Sequence, residues 1–349
     1  MPRTYAADAK QSLFYITLES TAGTYEKPDV IAIGDGKDFA IRLEGQPSWS
    51  IEGNPKVLRE ATVQALPGGA RPELGGKYRE VSFEAMLTEW GSTNSTTTKT
   101  GHELAAFFAA CPMTITAGAT ASDPLTMVPA NRGTNTVSVT WAEENGNVHS
   151  LSGGRCQIES ITAGDDMLVR IKGKVMGTYR DVKDIATFES DESIGFLFAT
   201  DSNYSDEPIV RADNMAVSTG VAGSDSAMVG LRSLEFNPNH AIEARLDFTG
   251  TNGYTFPFVS HNGNATVAVN FDVLSEAEFA IFAEAEGNLN DATSFDFQNS
   301  DGDDRLTIDF ADGYWDFPEP GETSGIRTYD AVCRGVPTSG YNTYTLTFS

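Results

Sequence analysis

The sequence predicts an all-β protein with one short α-helix in each of two tandem domains. Stretches of alternating apolar and polar residues have the length of strands, and turn residues, including 33 glycines, separate them. The chain has 349 residues, of which 40% are hydrophobic, so two domains can each bury a core. No stretch reaches the roughly eighteen apolar residues that a membrane helix requires.

Ten segments carry the strand pattern. In the segment 137–141, the residues Val137, Val139 and Trp141 share one face, while Ser138 and Thr140 share the other, which predicts a sheet with one solvated face. The predicted strands cover residues 13–19, 79–87, 135–143, 149–160 and 167–179, and then 229–236, 242–248, 266–274, 305–310 and 344–349.

The first predicted helix follows a capping box at residues 100–103 and ends at Pro112. Its apolar residues are spaced so that they form one stripe, consisting of Leu104, Phe107, Phe108 and Cys111. We therefore expect this helix to pack on a sheet.

The second predicted helix occupies the matching place in the second half. A capping box at residues 275–278 precedes a shorter stripe of Phe279, Phe282 and Ala283, and Gly287 ends the helix.

The order of elements around the two helices predicts a tandem duplication. The strand 79–87 precedes the first helix and the strand 266–274 the second, and closing strands end at Tyr179 and Ser349. The period is about 180 residues, the scale of whole domains. We expect the junction in the acidic stretch 180–193, giving domains 1–182 and 190–349.

The net charge of −25 excludes a general nucleic-acid binder, because such proteins need a basic surface. The charge is uneven: residues 1–180 have a net charge of −3 and residues 181–349 have −22. An acidic lumen that repels DNA and an acidic outer surface that keeps the protein in solution both fit this charge.

The cysteines and histidines indicate no catalytic or zinc site. Cys111, Cys156 and Cys333 are odd in number and far apart, so we expect three free, buried thiols rather than disulfides. The four histidines share no ligand spacing, and we expect them to be exposed or in loops. There is no P-loop and no G-x-S-x-G motif. We predict no enzyme and no cofactor.

Two segments leave binding functions open. The acidic turn 299–304 allows the hypothesis that Asp301, Asp303 and Asp304 bind calcium. The complete EF-hand loop is absent, and the residue preferences of a β-turn explain the same sequence. Tyr314 and Trp315 could form a platform for sugar stacking, or could pack beneath a loop. The N-terminal residues contain no apolar run that ends in a cleavage site, so we expect no signal peptide.

Residues 12–180 resemble the tail tube (major tail) proteins of long-tailed bacteriophages. The resemblance lies in the order of several pieces: a Gly-Thr-Tyr-x-x-Pro turn at residues 23–28, a long β-arm, the helix ending at Pro112, the stretch His149–Arg155, and a last strand ending Gly-Thr-Tyr179. Each piece is short, and the specificity comes from their order.

The resemblance implies β-sandwich domains whose inner strands join those of neighbours into a β-barrel around a lumen. It implies stacked rings that form the conduit for DNA ejection, here as trimers with six tube domains. The arm, roughly residues 47–77, would reach an adjacent ring or subunit through Pro55, Arg59, Arg71 and Lys77. Implied partners are copies of the chain, a tape-measure protein, other tail proteins, and transiting double-stranded DNA that is not bound specifically. The chain would be made in the host cytoplasm and located in the virion tail, with no membrane contact.

Alternatives remain for both the second half and the function. The second half lacks the His-x-Leu-x-Gly stretch, so an outward-facing immunoglobulin-like domain is the alternative to a divergent repeat. The alternative function is a soluble β-sandwich module that binds carbohydrate or a receptor through Trp315 or the turn 301–304, with a hydrolase as a third reading.

Overall fold

The protein is built mainly of antiparallel β-strands, which confirms the predicted all-β class. The computed structural model describes residues 12–29, 38–56, 73–90, 102–116, 124–143, 145–164, 166–193, 209–212, 214–219, 226–227, 230–246, 254–274, 276–287, 290–298, 304–323, 325–338 and 340–349. The helices found there are α1 (Ala105–Ala109), α2 (Ile185–Asp191) and α3 (Glu276–Gly287). The strands are β1 (Leu13–Leu18), β2 (Ser48–Lys56), β3 (Glu73–Met86), β4 (Met113–Thr116), β5 (Leu125–Pro129), β6 (Val137–Ala142), β7 (Asn147–Ala163), β8 (Val169–Tyr179), β9 (Lys183–Asp184), β10 (Asn214–Thr219), β11 (Ser226–Ala227), β12 (Leu231–Asn237), β13 (His240–Leu246), β14 (Tyr254–His261), β15 (Thr266–Phe271), β16 (Asn290–Gln298), β17 (Asp304–Trp315), β18 (Glu319–Thr323), β19 (Ile326–Gly335) and β20 (Thr345–Phe348).

The first part of the chain, which we term unit 1 (described residues 12–193), contains one antiparallel series of strands. Its pairing order is β2–β3–β8–β7–β6–β1, and α1 lies against β1. Phe107 of α1 packs edge-on against Phe83 of β3, and Phe83 contacts Phe14 of β1. The apolar stripe predicted for the first helix is therefore confirmed, since its members are all buried.

The second part, which we term unit 2 (described residues from 209 to 349), pairs its strands in the order β12–β15–β19–β17–β16–β10. The strand before α1 pairs with β8, and the strand before α3 pairs with β19. Each of these two helices lies against the first strand of its unit, β1 or β10. A tandem duplication predicts this repeated order, and the duplication stays a prediction about the origin of the chain.

The two units share one continuous sheet. The end of β7 pairs with β12, and β20 at the end of the chain pairs with β5 of unit 1. The segment between the units also pairs with unit 1, because Val210 N donates to Leu87 O at 2.8 Å and Val169 N donates to Val210 O at 3.1 Å. One buried apolar cluster therefore runs through both units.

The closing strands differ from the predicted match. β8 pairs with the strand before the helix in unit 1, and β19 takes that position in unit 2. The final strand β20 instead pairs with β17 and β5, so it does not correspond to β8, the strand that ends at Tyr179. The prediction missed β19 because its buried positions alternate only over Ala331, Cys333 and Gly335.

The stretch 180–193, predicted as the junction, contains α2, which packs against unit 1. Asp184 caps α2 by accepting a hydrogen bond from Thr187 N at 3.0 Å. Ile185 and Phe188 of α2 are buried in a second small core with Tyr15 and Val148. The acidic composition of the stretch reflects the exposed side of this helix.

Helix α3 begins directly after Ser275 and ends at Gly287, as predicted, whereas α1 begins at Ala105, later than its capping box predicts. Thr100 and Ser275 lie outside the described residues, so their capping hydrogen bonds stay predictions. Leu104 precedes α1 and makes no side-chain cap. Glu278 is buried, and its Oε1 accepts from Gly230 N at 2.8 Å, so it anchors α3 to the strand β12. The stripe predicted for α3 is wrong for Phe279 and Ala283, which are exposed.

Candidate assembly surfaces

The turn at 23–28 covers the polar face of β6, which was predicted to be solvated. Ser138 and Thr140 are buried there, since Tyr25 Oη lies 2.5 Å from Thr140 Oγ1 and Glu26 N donates to Ser138 Oγ at 2.9 Å. Burial raises the pKa of Tyr25 far above its usual value, so the phenol stays protonated. This face of unit 1 is a polar interface within the protein, not a surface in contact with water.

Glu19 is the acceptor that holds this turn onto the sheet. Its Oε1 accepts from Gly153 N at 2.7 Å and from Ser138 Oγ at 2.8 Å, and its Oε2 accepts from Gly23 N at 2.7 Å. The carboxylate thus joins the turn 23–28 to the stretch His149–Arg155, two of the pieces on which the family resemblance rests. The sequence alone marked Glu19 only as the end of a strand.

The hairpin β13–β14 extends from unit 2 and lies on unit 1, in contact with β7, β8 and β3. A Cβ added at Gly23 would lie 2.7 Å from the Phe256 ring, and one added at Gly153 would lie 2.9 Å from it. Both glycines have positive φ, +80° and +64°. Their lack of a side chain therefore lets Phe256 of the hairpin approach the backbone of unit 1.

Two histidines at the base of this hairpin are buried, so their predicted exposure is wrong. His240 Nε2 lies 2.9 Å from Tyr344 Oη, and His261 Nε2 lies 2.9 Å from Thr343 Oγ1. Burial, with the neighbouring His261, lowers the pKa of His240 to about 3, and burial lowers the pKa of His261. Neutral imidazoles therefore connect the hairpin to the end of the chain.

His102 is also buried, stacked on Trp90 with ring centroids 4.2 Å apart. Burial is the main cause that lowers its pKa to about 4. The adjacent Glu103 lies 3.9 Å from Arg42, yet burial outweighs that charge and raises its pKa to about 7. His149 is half-buried and stacks on Trp141, with its Nε2 3.3 Å from Glu143.

Free strand edges are the surfaces most relevant to assembly. Within the described residues β2 pairs with β3 and β18 pairs with β19, and neither has a second strand beside it. An unpaired edge presents backbone N–H and C=O groups to another chain. β18 follows β17 along the same side of β19, so β17 and β18 together take the position that β7 has in unit 1.

Two of the four predicted arm residues lie in described strands. Pro55 and Lys77 belong to the paired strands β2 and β3, opposite Leu74 and Gly53 respectively. Arg59 and Arg71 lie outside the described residues, so their predicted contact with an adjacent ring or subunit stays a prediction.

Trp315, one of the alternative binding residues, lies inside the protein. Trp315 is 1% exposed and packs against Phe295 with ring centroids 5.8 Å apart, so it offers no face for sugar stacking. Asp304 begins β17 opposite Gln298, while Asp301 and Asp303 lie outside the described residues. Among the residues that are described, no group of three or more His, Cys, Asp or Glu could hold a metal ion.

The three cysteines are free and buried, as predicted. Burial raises the pKa of Cys111, Cys156 and Cys333, so these thiols stay protonated and pack as small apolar side chains. In the described part of the chain, no helix is long and apolar enough to cross a membrane.

No family model matches this chain, and a search of curated proteins returned no match.

Proposed function

We propose that the chain is a structural virion protein, a tail tube subunit whose copies join into rings and stack into the conduit for DNA ejection. The proposal includes β-sandwich units in a trimeric ring of six, no cofactor and no catalytic role. It takes the ring and its stoichiometry from the family resemblance of residues 12–180. Partners would be copies of the chain, tape-measure and other tail proteins, and transiting DNA.

The observation that carries the proposal is the junction between the two units. Unit 1 offers the end of β7 and unit 2 offers β12, and these strands pair antiparallel through Ala163 and Leu234. Different edges meet, so the junction is heterologous, and repetition of such a junction between copies generates a ring or a filament.

The two edges that would repeat this junction lie at opposite ends of the chain. β2 is the counterpart of β12, since each pairs with the strand before the helix of its unit. β18 is the counterpart of the end of β7, since β18 pairs with the beginning of β19 and the end of β7 pairs with the beginning of β8. Pairing of β18 in one copy with β2 in the next would continue the sheet from chain to chain.

Charge is compatible with a conduit for DNA. The second half of the chain has a net charge of −22, so a lumen lined by its acids would repel phosphates and let DNA pass. An outer position for the same acids would keep the protein in solution.

Negative-stain electron microscopy of the purified full-length protein tests this function. We expect hollow tubes, or rings with three-fold symmetry and six lobes, as the concentration is raised. A protein that remains a single chain at every concentration, by microscopy and by sedimentation velocity, would contradict the proposal and favour a monomeric binding module.

A further inference from the structure

One end of unit 2 carries a group of exposed apolar side chains, which we term the apolar patch. Its members are Val273 at 39% exposure, Leu274 at 65%, Phe279 at 66% and Phe317 at 63%. The half-buried Phe282 connects two of them, because its ring centroid lies 6.4 Å from that of Phe279 and 6.0 Å from that of Phe317. Val273 and Leu274 lie in the short connection between β15 and α3, the helix that carries Phe279 and Phe282. Exposed apolar side chains grouped in this way are typical of a contact site.

The corresponding position of unit 1 is fully covered. Buried residues alternate along β3 and continue to Leu87, just as those of β15 lead through Phe271 to Val273. Ala85 pairs with Ile171 of β8 and Phe271 pairs with Tyr329 of β19, so the two strand ends occupy equivalent places. Yet Leu87 is 0% exposed whereas Val273 is 39% exposed.

The cover over unit 1 is the segment 209–212, which leads into the first strand of unit 2. Val210 is fully buried and exchanges backbone hydrogen bonds with Leu87 and Val169. Bridges join Thr88 to Ile209 and Leu168 to Arg211. The segment 209–212 therefore covers the residues that follow β3 in unit 1.

We propose that a second copy of this chain covers the apolar patch with the residues that immediately precede its β1, as residues 209–212 cover Leu87 within one chain. Those residues precede β1, just as residues 209–212 precede β10. The strands β1 and β10 are equivalent, because the buried Phe14 of β1 pairs with Trp141 and the buried Met215 of β10 pairs with Phe297. The inference deepens the proposed function and rests on it, since it requires that copies associate.

Charge favours the same occupant. The eleven residues before Ser12 contain Arg3 and Lys10 against the single acid Asp8, whereas residues 181–349 have a net charge of −22. A segment with this excess of basic residues is attracted to the acidic half of the chain that presents the apolar patch. The charges therefore favour the residues before Ser12 of another copy as the occupant of the patch, rather than unit 2 of that copy. The resulting contact is heterologous, as the junction between β7 and β12 is.

A matched pair of variants tests the patch. Val273→Glu places a charge in the apolar patch, and Val182→Glu makes the same change at a valine of 40% exposure in unit 1. We expect Val273→Glu to raise the concentration needed for assembly by about tenfold or more, because a buried unpaired charge opposes association. Val182→Glu should leave it unchanged, and circular dichroism confirms that both variants are folded.

A cross-link identifies the occupant. In a chain carrying Ala9→Cys and Leu274→Cys, oxidation should produce a ladder of covalent oligomers that reductant collapses, with little background because Cys111, Cys156 and Cys333 are buried. A chain carrying Ala9→Cys and Val182→Cys should give no ladder.

The outcomes separate the patch from the function. Rings or tubes that form equally well with Val273→Glu would overturn the patch as a contact between copies and leave the proposed function standing. A disrupting effect of Val273→Glu without a ladder from Ala9→Cys and Leu274→Cys would overturn the occupant. A wild-type chain that never associates would overturn both this inference and the proposed function.

Discussion

Glu19 and Gly153 are joined by a 2.7 Å hydrogen bond from the Gly153 amide to Glu19 Oε1, between residues 134 positions apart in the chain. The same carboxylate accepts from the Gly23 amide and from Ser138 Oγ. One nearly buried side chain thus fixes the turn 23–28 on the sheet of unit 1, next to the two glycines on which the Phe256 ring of unit 2 rests.

We expect Glu19→Gln to lower the free energy of unfolding by about 1–3 kcal/mol, because the amide nitrogen cannot accept and leaves a buried donor without its partner. Urea denaturation measures this change. The control is Glu26→Gln on the exposed part of the same turn, where Oε2 accepts from Ser20 Oγ at 2.8 Å and the change should be within about 0.5 kcal/mol. Equal effects of the two substitutions would show that Glu19 is not the anchor.

Gly230 is a position where no side chain fits. An added Cβ would lie 2.1 Å from Asp272 O, while Gly230 N donates to the buried Glu278. We expect Gly230→Ala to lower the free energy of unfolding by about 2–3 kcal/mol through overpacking. At Gly45 nothing lies within 4 Å of an added Cβ, so Gly45→Ala should change stability by less than about 0.5 kcal/mol in the same thermal or urea experiment.

The buried His240 makes the free energy of unfolding depend on pH. Its pKa is lowered from 6.5 to about 3, so between these pH values the imidazole is protonated in the unfolded chain and neutral in the folded protein. The contribution of this residue is complete above pH 6.5 and is lost as pH falls from there toward about 3. Denaturation midpoints between pH 7 and pH 4 should fall less steeply in His240→Gln; an identical slope in the variant would assign the dependence to other groups.

Glu103 acts in the opposite direction. Its pKa is raised from 4.5 to about 7, so the folded protein retains a proton that the unfolded chain has released. Its contribution is therefore present at pH 4.5 and is lost as pH rises toward about 7. Glu103→Gln mimics the protonated carboxyl and should gain relative stability between pH 5 and pH 7 in the same titration. A gain that is constant with pH would contradict the raised pKa.

The strands with strong alternation could be predicted from the sequence. All ten predicted strands occur, with bounds that shift by a few residues, because local side-chain spacing decides which face of a strand can be buried. β14 and β18 were missed because each contains a proline, which is rare inside a sheet. Helix α1 showed its buried stripe in the sequence, whereas the buried face of α3 includes Glu278 and Glu284, which no apolar pattern reveals.

The sequence by itself determined the all-β class, the two helical segments in matching places and the burial of the three cysteines, since these follow from local spacing and composition. Only the tertiary structure decided that β7 pairs with β12, that β19 rather than β20 corresponds to β8, and that His240 and Trp315 are buried. The physical reason is that strand partners and burial are set by contacts between residues far apart in the chain, whereas periodicity reports only on neighbours.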